Sequence, residues 1–236
     1  MYYVGLDIGT SSVKALLVSE DGKVTRSATP EYPFQTPRQM WAETDPEVWW
    51  KATRDALSSL LEGIDPGEIA AVGLTGQMHG MVALDGKGEV LRPCIMWNDQ
   101  RSFGECDEIT RTVGESEILR ITGNPVLAGF TAPKILWLKK NEPELFSAID
   151  KVVLPKDFIR WRLTSEFFTD VSDASGTSLL DVGARKWSQE MLDALEWPLS
   201  WLPEVTESTE ATAKVSQAAS ESTGLPEGTP VIAGGG

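Results

Sequence analysis

Apolar and β-branched residues fill two short stretches at the start of the chain, and small polar residues separate them. Residues 2–6 and 13–18 have the composition of buried strands, whereas residues 9–12 have that of a turn. Asp7 stands at the end of the first stretch, and residues 24–28 follow a second turn signal as a third strand. The pattern predicts an antiparallel meander with a carboxylate near the tip of its first hairpin.

Helical periodicity begins after an irregular, proline-bearing segment. Residues 48–61 repeat apolar side chains at helical spacing, Thr44 and Glu47 fit a capping box, and Gly63 follows as a stop signal. Residues 69–75 form a continuous apolar stretch, typical of a strand buried in a parallel sheet. The order β-β-β-α-β differs from the strict alternation of a Rossmann fold. It favours an α/β fold of the ribonuclease-H-like, actin-like ATPase type, with a mixed sheet and helices on both faces.

The rest of the chain predicts further α/β structure. The expected elements are a strand at 81–84, a hairpin turn at 85–88, a strand at 90–97, helices within 102–122 and from 131 to near 141, a strand at 151–154, and helices at 156–163 and 187–195. Residues 170–177 are rich in Ser, Asp and Gly, which indicates an exposed loop or a lip beside a substrate. Residues 204–230 contain few large apolar side chains and predict a surface segment.

A new apolar strand begins at residue 230, and three glycines follow it. Such glycines are typical of a turn or of a loop that approaches a phosphate. We expect residues 1–229 to form one domain and residues 230–236 to begin a second, truncated one. The face meant for that second domain should be apolar and favour self-association, with a homodimer as one form.

Composition and charge exclude several classes of function. The net charge of −14 argues against nucleic acid as a partner. Two cysteines, Cys94 and Cys106, are too few for a disulfide framework and favour a reducing compartment. The start of the chain lacks a basic leader and no apolar run reaches membrane-spanning length, so we expect a cytoplasmic protein without membrane contact. His79 is the only histidine, which excludes a multi-histidine metal site.

The loop after the first strand carries candidate phosphate chemistry. Its small and hydroxylated residues are Gly9, Thr10, Ser11 and Ser12. Gly9 leaves room for a ligand, the hydroxyls stand beside loop N–H groups, and Lys14 adds positive charge. A carboxylate such as Asp7 faces a phosphate only with a metal between them, and hard oxygens suit Mg²⁺. The segment predicts a clamp for Mg²⁺ and nucleotide phosphates; a plain β-turn capped by Asp7 is the alternative.

A second candidate loop follows the buried strand at 69–75. The side chains between its two glycines are Gln77, Met78 and His79. Ligands of open α/β sheets bind beyond the carboxyl ends of the strands, so these side chains lie where a ligand is expected. A hydrogen-bonded structural role is the alternative for His79.

A polar cluster follows Trp97 at the end of the strand predicted over 90–97. Its members are Asn98, Asp99, Gln100 and Arg101. Such side chains suit contacts with a polyhydroxy ligand. A helix N-cap with a local ion pair is the alternative.

Seven segments, in order along the chain, resemble the FGGY family of carbohydrate kinases. They are residues 5–14, 76–85, 92–101, 129–138, 154–164, 172–182 and 230–236. Thr131, Lys134 and Trp137 occupy their places in the family signature. The resemblance implies two actin-like domains with ATP and a sugar bound in the cleft between them. It therefore implies ATP and Mg²⁺ as cofactors and a small-molecule sugar as the partner.

The resemblance also implies roles for individual residues. Asp7 matches the aspartate that holds Mg²⁺ near the transferred phosphate, and residues 9–12 match the phosphate-side loop. Met78 and His79 match the pair that contacts the ketose in members acting on D-xylulose, whereas glycerol kinases carry Arg and Glu there. The expected neighbours in the cleft are Gln77, Trp97, Asn98 and Asp99.

Gly234 and Gly235 match a glycine turn that, in the family, directly precedes the aspartate acting as general base. That aspartate would lie just after Gly236. The resemblance thus implies transfer of the ATP γ-phosphate to the 5-hydroxyl of D-xylulose by the two-domain protein, and no appreciable activity of this chain alone. Two alternatives stay open: a family member acting on another sugar, such as L-ribulose or gluconate, and a non-catalytic actin-like nucleotide-binding module. A ribonuclease-H-type nuclease is disfavoured by the negative charge.

Overall fold

A six-stranded mixed sheet forms the centre of the computed structural model, which describes residues 1–234. The strands are β1 (Tyr2–Ile8), β2 (Val13–Ser19), β3 (Val24–Ala28), β4 (Glu43–Thr44), β5 (Ile69–Gly76), β6 (Val82–Leu84), β7 (Cys94–Ile95), β8 (Lys151–Val153), β9 (Phe168–Asp170), β10 (Leu180–Asp181), β11 (Lys186–Trp187), β12 (Glu204–Thr206), β13 (Ala211–Lys214) and β14 (Pro230–Ile232). The helices are α1 (Pro46–Leu61), α2 (Phe103–Val113), α3 (Glu115–Thr122), α4 (Thr131–Asn141), α5 (Pro143–Ser147), α6 (Pro155–Thr164), α7 (Val171–Ser175), α8 (Gln189–Leu195) and α9 (Gln217–Thr223). The sheet order is β13-β14-β5-β1-β2-β3.

Strand β1 lies inside this sheet and sets its two faces. Val4, Leu6 and Ile8 are buried, because a pleated strand sends alternate side chains to the same face. Strand β2 runs antiparallel to β1 and places Lys14 opposite Asp7. Strand β5 runs parallel to β1 on its other side. The predicted meander and the predicted buried parallel strand are confirmed.

Helix α1 begins at a different cap from the one predicted. The cap is Asp45, whose Oδ1 accepts a hydrogen bond from the Glu47 backbone N–H at 3.0 Å. Thr44 instead ends strand β4, which pairs with β7, so the prediction of a Thr44 capping box is wrong. Trp49 and Leu57 of this helix are fully buried in the core.

Helices α1, α6 and α9 pack on one face of the central sheet. Their side chains, among them Trp49, Phe158 and Ala219, share one core with the inward residues of β1. On the opposite face of β1, Tyr3 is 43% exposed and Asp7 is also exposed. The mixed sheet with packed helices agrees with the prediction.

A second hydrophobic core lies among α2, α3, α4 and α8. It includes Ile109, Ile121, Ile135 and Leu192, one from each of these helices. The apolar periodicity of these segments is satisfied by this packing. The helices predicted within residues 102–122 and from residue 131 are therefore confirmed. The helix predicted over residues 187–195 is also present, as α8. No helix within residues 1–234 is long and apolar enough to span a bilayer.

The strand predicted over residues 90–97 is much shorter in the structure. Only Cys94–Ile95 forms a strand, β7. Pro93 has no backbone N–H to donate to a sheet ladder, which accounts for the late start of the strand.

Residues 170–177 are not an exposed loop. They form the short helix α7 and its flanks, and Asp170 and Asp173 are 0% and 3% exposed. The ammonium of Lys156 pairs with both carboxylates, at 2.9 and 3.2 Å. The prediction of exposure is wrong because a buried cation from α6 compensates these acidic side chains.

Residues 204–230 hold regular structure as well as surface positions. They contribute β12, β13 and α9, and β13 is an edge strand of the central sheet. Strand β14 lies between β13 and β5, with the buried Val231 opposite Val72. The strand that we expected to open a second domain is thus hydrogen-bonded into this sheet. The second domain itself stays a prediction.

Candidate functional site

Asp7 lies at the end of β1 in a groove of about 500 Å³. Lys14, Thr75 and Gly234 also line this groove, so the fold brings together predicted residues from both ends of the chain. The Asp7 carboxylate is exposed and makes no hydrogen bond or ion pair with residues 1–234. Gly235, the other predicted glycine, lies outside the described residues.

The donor set around Asp7 fits Mg²⁺. Within the described part of the chain, no group of three or more His, Cys, Asp or Glu side chains is arranged to hold a metal. Mg²⁺ does not need such a cage, because it keeps several waters and is held by one or two carboxylates together with substrate phosphates. One open carboxylate beside a loop of small, hydroxylated residues is compatible with this requirement.

The loop after β1 is a closed turn. The Gly9 backbone N–H donates to Ser12 O at 2.9 Å, and the Tyr32 hydroxyl donates to Gly9 O at 2.7 Å. The Trp97 indole N–H donates to Thr10 Oγ1 at 3.1 Å. The Gly9 amide is therefore used inside the turn, and the role of the hydroxyls of residues 10–12 toward a ligand stays a prediction.

The loop after β5 is joined to the loop after β1. The Gln77 backbone N–H donates to Ile8 O at 2.8 Å, and Gln77 Nε2 donates to Gly9 O at 3.2 Å. Gly76 permits this approach, because a Cβ there would lie 2.9 Å from Ile8 O. Gln77 Oε1 is buried and has no hydrogen-bond partner within residues 1–234. The carboxyl ends of β1 and β5 thus form one continuous surface.

The imidazole of His79 is held from two sides. Its Nδ1 lies 2.8 Å from Gly176 O, and its ring centre lies 4.6 Å from that of Phe130. A carbonyl oxygen only accepts, so Nδ1 carries the proton and Nε2 remains an acceptor. A Cβ at position 176 would lie 2.2 Å from His79 Cε1, so only glycine leaves room for the ring. Met78, its neighbour, is 46% exposed.

The pKa of His79 is expected to lie below 6.5, mainly because burial disfavours the charged ring. The hydrogen bond to Gly176 opposes this shift, and the positive charge of Lys134 adds to it. Since the folded state holds the neutral ring, it should lose stability as pH falls below the unfolded pKa of about 6.5. An NMR titration checks this directly, because the chain has one histidine. The urea-unfolded chain is the control, and a folded pKa at or above the unfolded one would contradict the expectation.

Trp97 borders the same surface through its bond to Thr10, whereas Asp99 does not. Trp97 is 45% exposed, and Asn98 Oδ1 is buried without a hydrogen-bond partner in the described residues. Asp99 is fully buried; its Oδ2 accepts from Ala42 N at 2.6 Å and from the Arg101 guanidinium at 2.7 Å. The structure therefore places Asp99 in a local ion pair, which was the alternative to ligand contact.

Three residues beside His79 had no site role in our sequence analysis. They are Phe130, which contacts the ring, Gly176, whose carbonyl oxygen lies next to Nδ1, and Lys134, which donates to His79 O. Gly176 belongs to the segment for which a lip beside the substrate was one prediction; its contact with His79 places this segment next to the loop after β5, and the lip itself stays a prediction. Phe130 carried no signal in the sequence, since an aromatic residue before a helix is usually part of a core.

Residues 2–236 match the N-terminal domain of the FGGY family of carbohydrate kinases. The chain belongs to this family. The FGGY domain is 44% identical over 234 residues to a xylulose kinase of Escherichia coli (strain K12) and 42% identical over 236 residues to one of Lactococcus lactis subsp. lactis (strain IL1403). These alignments cover 99% of this chain but 48% and 47% of the relatives. The chain thus spans about half the length of the curated relatives it matches.

Solved structures resemble the FGGY domain over nearly its whole length. A xyloylose kinase from Brucella ovis superposes with a TM-score of 0.94 at 42% identity, covering 100% of this chain and 49% of that chain. A gluconate kinase from Lactobacillus acidophilus superposes with a TM-score of 0.92 at 30% identity, covering 99% of this chain and 47% of that chain. The predicted family and the predicted α/β, actin-like fold class are confirmed.

Proposed function

We propose that this FGGY domain supplies the sugar site and the metal-phosphate site of an ATP-dependent kinase that phosphorylates D-xylulose on its 5-hydroxyl. The observation that carries the proposal is the His79 ring, whose Nε2 remains an acceptor beside Met78 and near the Asp7 loop. Xylulose kinases at 42–44% identity support the choice of sugar. Because those relatives are about twice as long, the activity is proposed for the two-domain protein.

The sugar would lie on the surface formed by the ends of β1 and β5. Sugar hydroxyls are donors, and His79 Nε2 is the acceptor that this surface offers. Gln77 Oε1 and Asn98 Oδ1 are buried acceptors without a partner in residues 1–234, and a bound sugar would reach them only after these side chains turn outward. Exposed apolar area from Met78 and Trp97 would pack against the carbon chain. His79 would orient the sugar through a hydrogen bond rather than remove its proton, because a base for the 5-hydroxyl is expected just after Gly236.

The phosphate side would lie in the groove that contains Asp7. Asp7 would hold Mg²⁺, which when bound neutralises phosphate charge during transfer. The hydroxyls of residues 10–12 and the charge of Lys14 would orient the phosphate oxygens. Gly234 lines the same groove, and the buried Asp170 leaves room only for glycine there, since a Cβ would lie 2.7 Å from Asp170 Oδ1. Holding both reactants in line is the main contribution expected from this arrangement.

Phosphorylation of gluconate is the second candidate function. The gluconate kinase from Lactobacillus acidophilus, with its TM-score of 0.92, is the observation that supports it. A cytoplasmic location, a homodimer and a second domain that completes the nucleotide site belong to the proposal as well.

Calorimetric titration of the 236-residue chain with D-xylulose tests the proposed sugar site. We expect weak binding, reduced at least about tenfold in His79→Ala and Asn98→Ala, since each removes a hydrogen-bond acceptor. Asn124→Ala is the matched control, because Asn124 is a surface residue that bonds only near its own helix end. With ATP and Mg²⁺ added, we expect no appreciable turnover by this chain alone.

L-Ribulose and D-gluconate titrated in the same way separate the candidate sugars. Stronger binding of gluconate than of D-xylulose would favour the second candidate. Equal D-xylulose binding by the wild type and the His79→Ala variant would contradict the assigned role of His79. Substantial turnover of D-xylulose by the 236-residue chain would contradict the need for a second domain.

A further inference from the structure

The backbone of His79 has an unusual conformation for a residue with a side chain. Its φ is +65°, in the left-handed region that favours glycine. A side chain in this region is strained and persists only where neighbouring groups hold it. The groups that hold His79 therefore decide where its imidazole points.

Two side chains from the first turn of α4 hold the His79 backbone. The Lys134 ammonium donates to His79 O at 2.8 Å, and the Thr131 hydroxyl donates to the same oxygen at 3.2 Å. These bonds orient the carbonyl of the strained residue. They connect the loop after β5 to a helix that belongs to the second core.

The same ammonium also holds the partner of the His79 ring. Lys134 Nζ donates to Gly129 O at 2.7 Å, and Gly129 directly precedes Phe130. Phe130 and His79 form the ring contact at 4.6 Å. One nitrogen atom thus fixes the main chain next to both rings of this contact.

Lys134 is an unusual residue for a protein core. It is fully buried, and within residues 1–234 no carboxylate lies at ion-pair distance from it. Burial lowers its pKa to about 7, while Cys94 and Asp99 oppose this shift and Arg101 adds to it. An apolar side chain would fill the space without the unfavourable desolvation of a buried amine. An apolar residue could not donate the two hydrogen bonds that Lys134 makes to the carbonyl oxygens of His79 and Gly129.

We propose that Lys134 is a positioning residue of the sugar site, which holds His79 and Phe130 in the geometry that leaves His79 Nε2 open to a ligand. The use of this geometry for a sugar rests on the proposed function. The positioning itself does not, because it concerns contacts within this chain.

The His79 imidazole reports on this role without any ligand. At about pH 8.5 the ring is neutral, and the Lys134 nitrogen, whose pKa is about 7, still carries two N–H groups for its two carbonyl partners. The ¹⁵N shifts of the ring distinguish a proton on Nδ1 from one on Nε2. In the wild type we expect the Nδ1–H form and proton shifts displaced by the Phe130 ring. In Lys134→Met we expect a mixture of both forms and loss of that displacement. The matched control is Lys139→Met, on the same helix with a side chain 41% exposed.

A second variant covers the case in which Lys134→Met does not fold. Thr131→Val keeps the shape of the side chain and removes the other donor to His79 O, so a partial shift toward the mixed form is expected. Wild-type ¹⁵N shifts in a folded Lys134→Met protein would overturn the proposal. So would wild-type shifts in Thr131→Val if Lys134→Met does not fold.

Titration with D-xylulose separates this proposal from the proposed function. We expect Lys134→Met to weaken binding at least about tenfold and Lys139→Met to leave it unchanged. A changed His79 signature with unchanged D-xylulose affinity would support the positioning role and would contradict the assigned sugar contact of His79.

Discussion

Replacing Lys156 with methionine is expected to lower the free energy of unfolding by about 3–5 kcal/mol, the effect of breaking a buried ion pair. The ammonium of Lys156 is fully buried and lies 2.7 Å from Asp157, 2.9 Å from Asp170 and 3.2 Å from Asp173. Without it, three buried carboxylates would lose their closest positive charge. Arg160, the other buried cation of the cluster, lies over the Phe168 ring and makes no ion pair within residues 1–234.

Urea unfolding followed by tryptophan fluorescence measures this effect. Lys51→Met is the control, because its partner Asp55 is on the same exposed helix face and such a pair contributes about 0.3–0.5 kcal/mol. The difference between the two variants should shrink toward acidic pH. Burial raises the pKa of Asp173 to about 6, so this carboxylate is neutralised early and needs the cation less. A Lys156→Met protein within about 1 kcal/mol of the control at neutral pH would contradict the assignment.

Replacing Asp7 with asparagine is expected to lower turnover of the two-domain kinase about 10²–10³-fold, a loss typical of removing one electrostatic group that acts on the transition state. The carboxylate is exposed at the end of β1 and makes no ion pair within residues 1–234, so its loss should leave the fold intact. Sugar affinity should change little, because the sugar contacts are assigned to the loop after β5 and to Trp97 and Asn98. Part of the lost rate should return at high Mg²⁺ concentration, where a weakened metal site refills.

Steady-state kinetics with ATP and D-xylulose over a range of Mg²⁺ concentrations test this expectation. Asp55→Asn is the matched control, since Asp55 is exposed on α1 and its ion pair in the described part of the chain is the surface pair with Lys51. Turnover by Asp7→Asn close to that of the control at every Mg²⁺ concentration would show that Asp7 holds no catalytic metal. Loss of D-xylulose binding in Asp7→Asn would place the residue on the sugar side instead.

The parts of the fold with strong periodicity were predictable from the sequence. The alternation in β1 and β2, the apolar stretch of β5 and the helical spacing of α1 and α4 all depend on neighbours close in the chain. The two candidate loops were predictable for the same reason. Each follows a recognisable strand, and ligands of open sheets bind beyond strand ends.

Features that depend on distant partners were not predictable. Residues 170–177 have the composition of an exposed loop, and only the ammonium of Lys156 explains their burial. Asp99 was a candidate ligand contact; the local ion pair with Arg101 was the stated alternative, but the hydrogen bond from Ala42 N, far away in the sequence, had no local signal. The support of His79 by Lys134 joins positions far apart in sequence, so no local pattern predicts it.

Strand β14 completes the sheet although it lies near the end of the chain, with Val231 paired to Val72. During synthesis, β1, β2 and β3 can pair as soon as they leave the ribosome, whereas β5 must wait for β14 on its second side. Until then β5 is an edge strand with unpaired N–H and C=O groups and apolar neighbours. The nascent domain therefore exposes an aggregation-prone edge strand for most of its synthesis. A chaperone that covers unpaired edge strands would act in that interval. The order of the strands along the chain, as well as the contacts of the folded state, thus affects the risk of aggregation during synthesis.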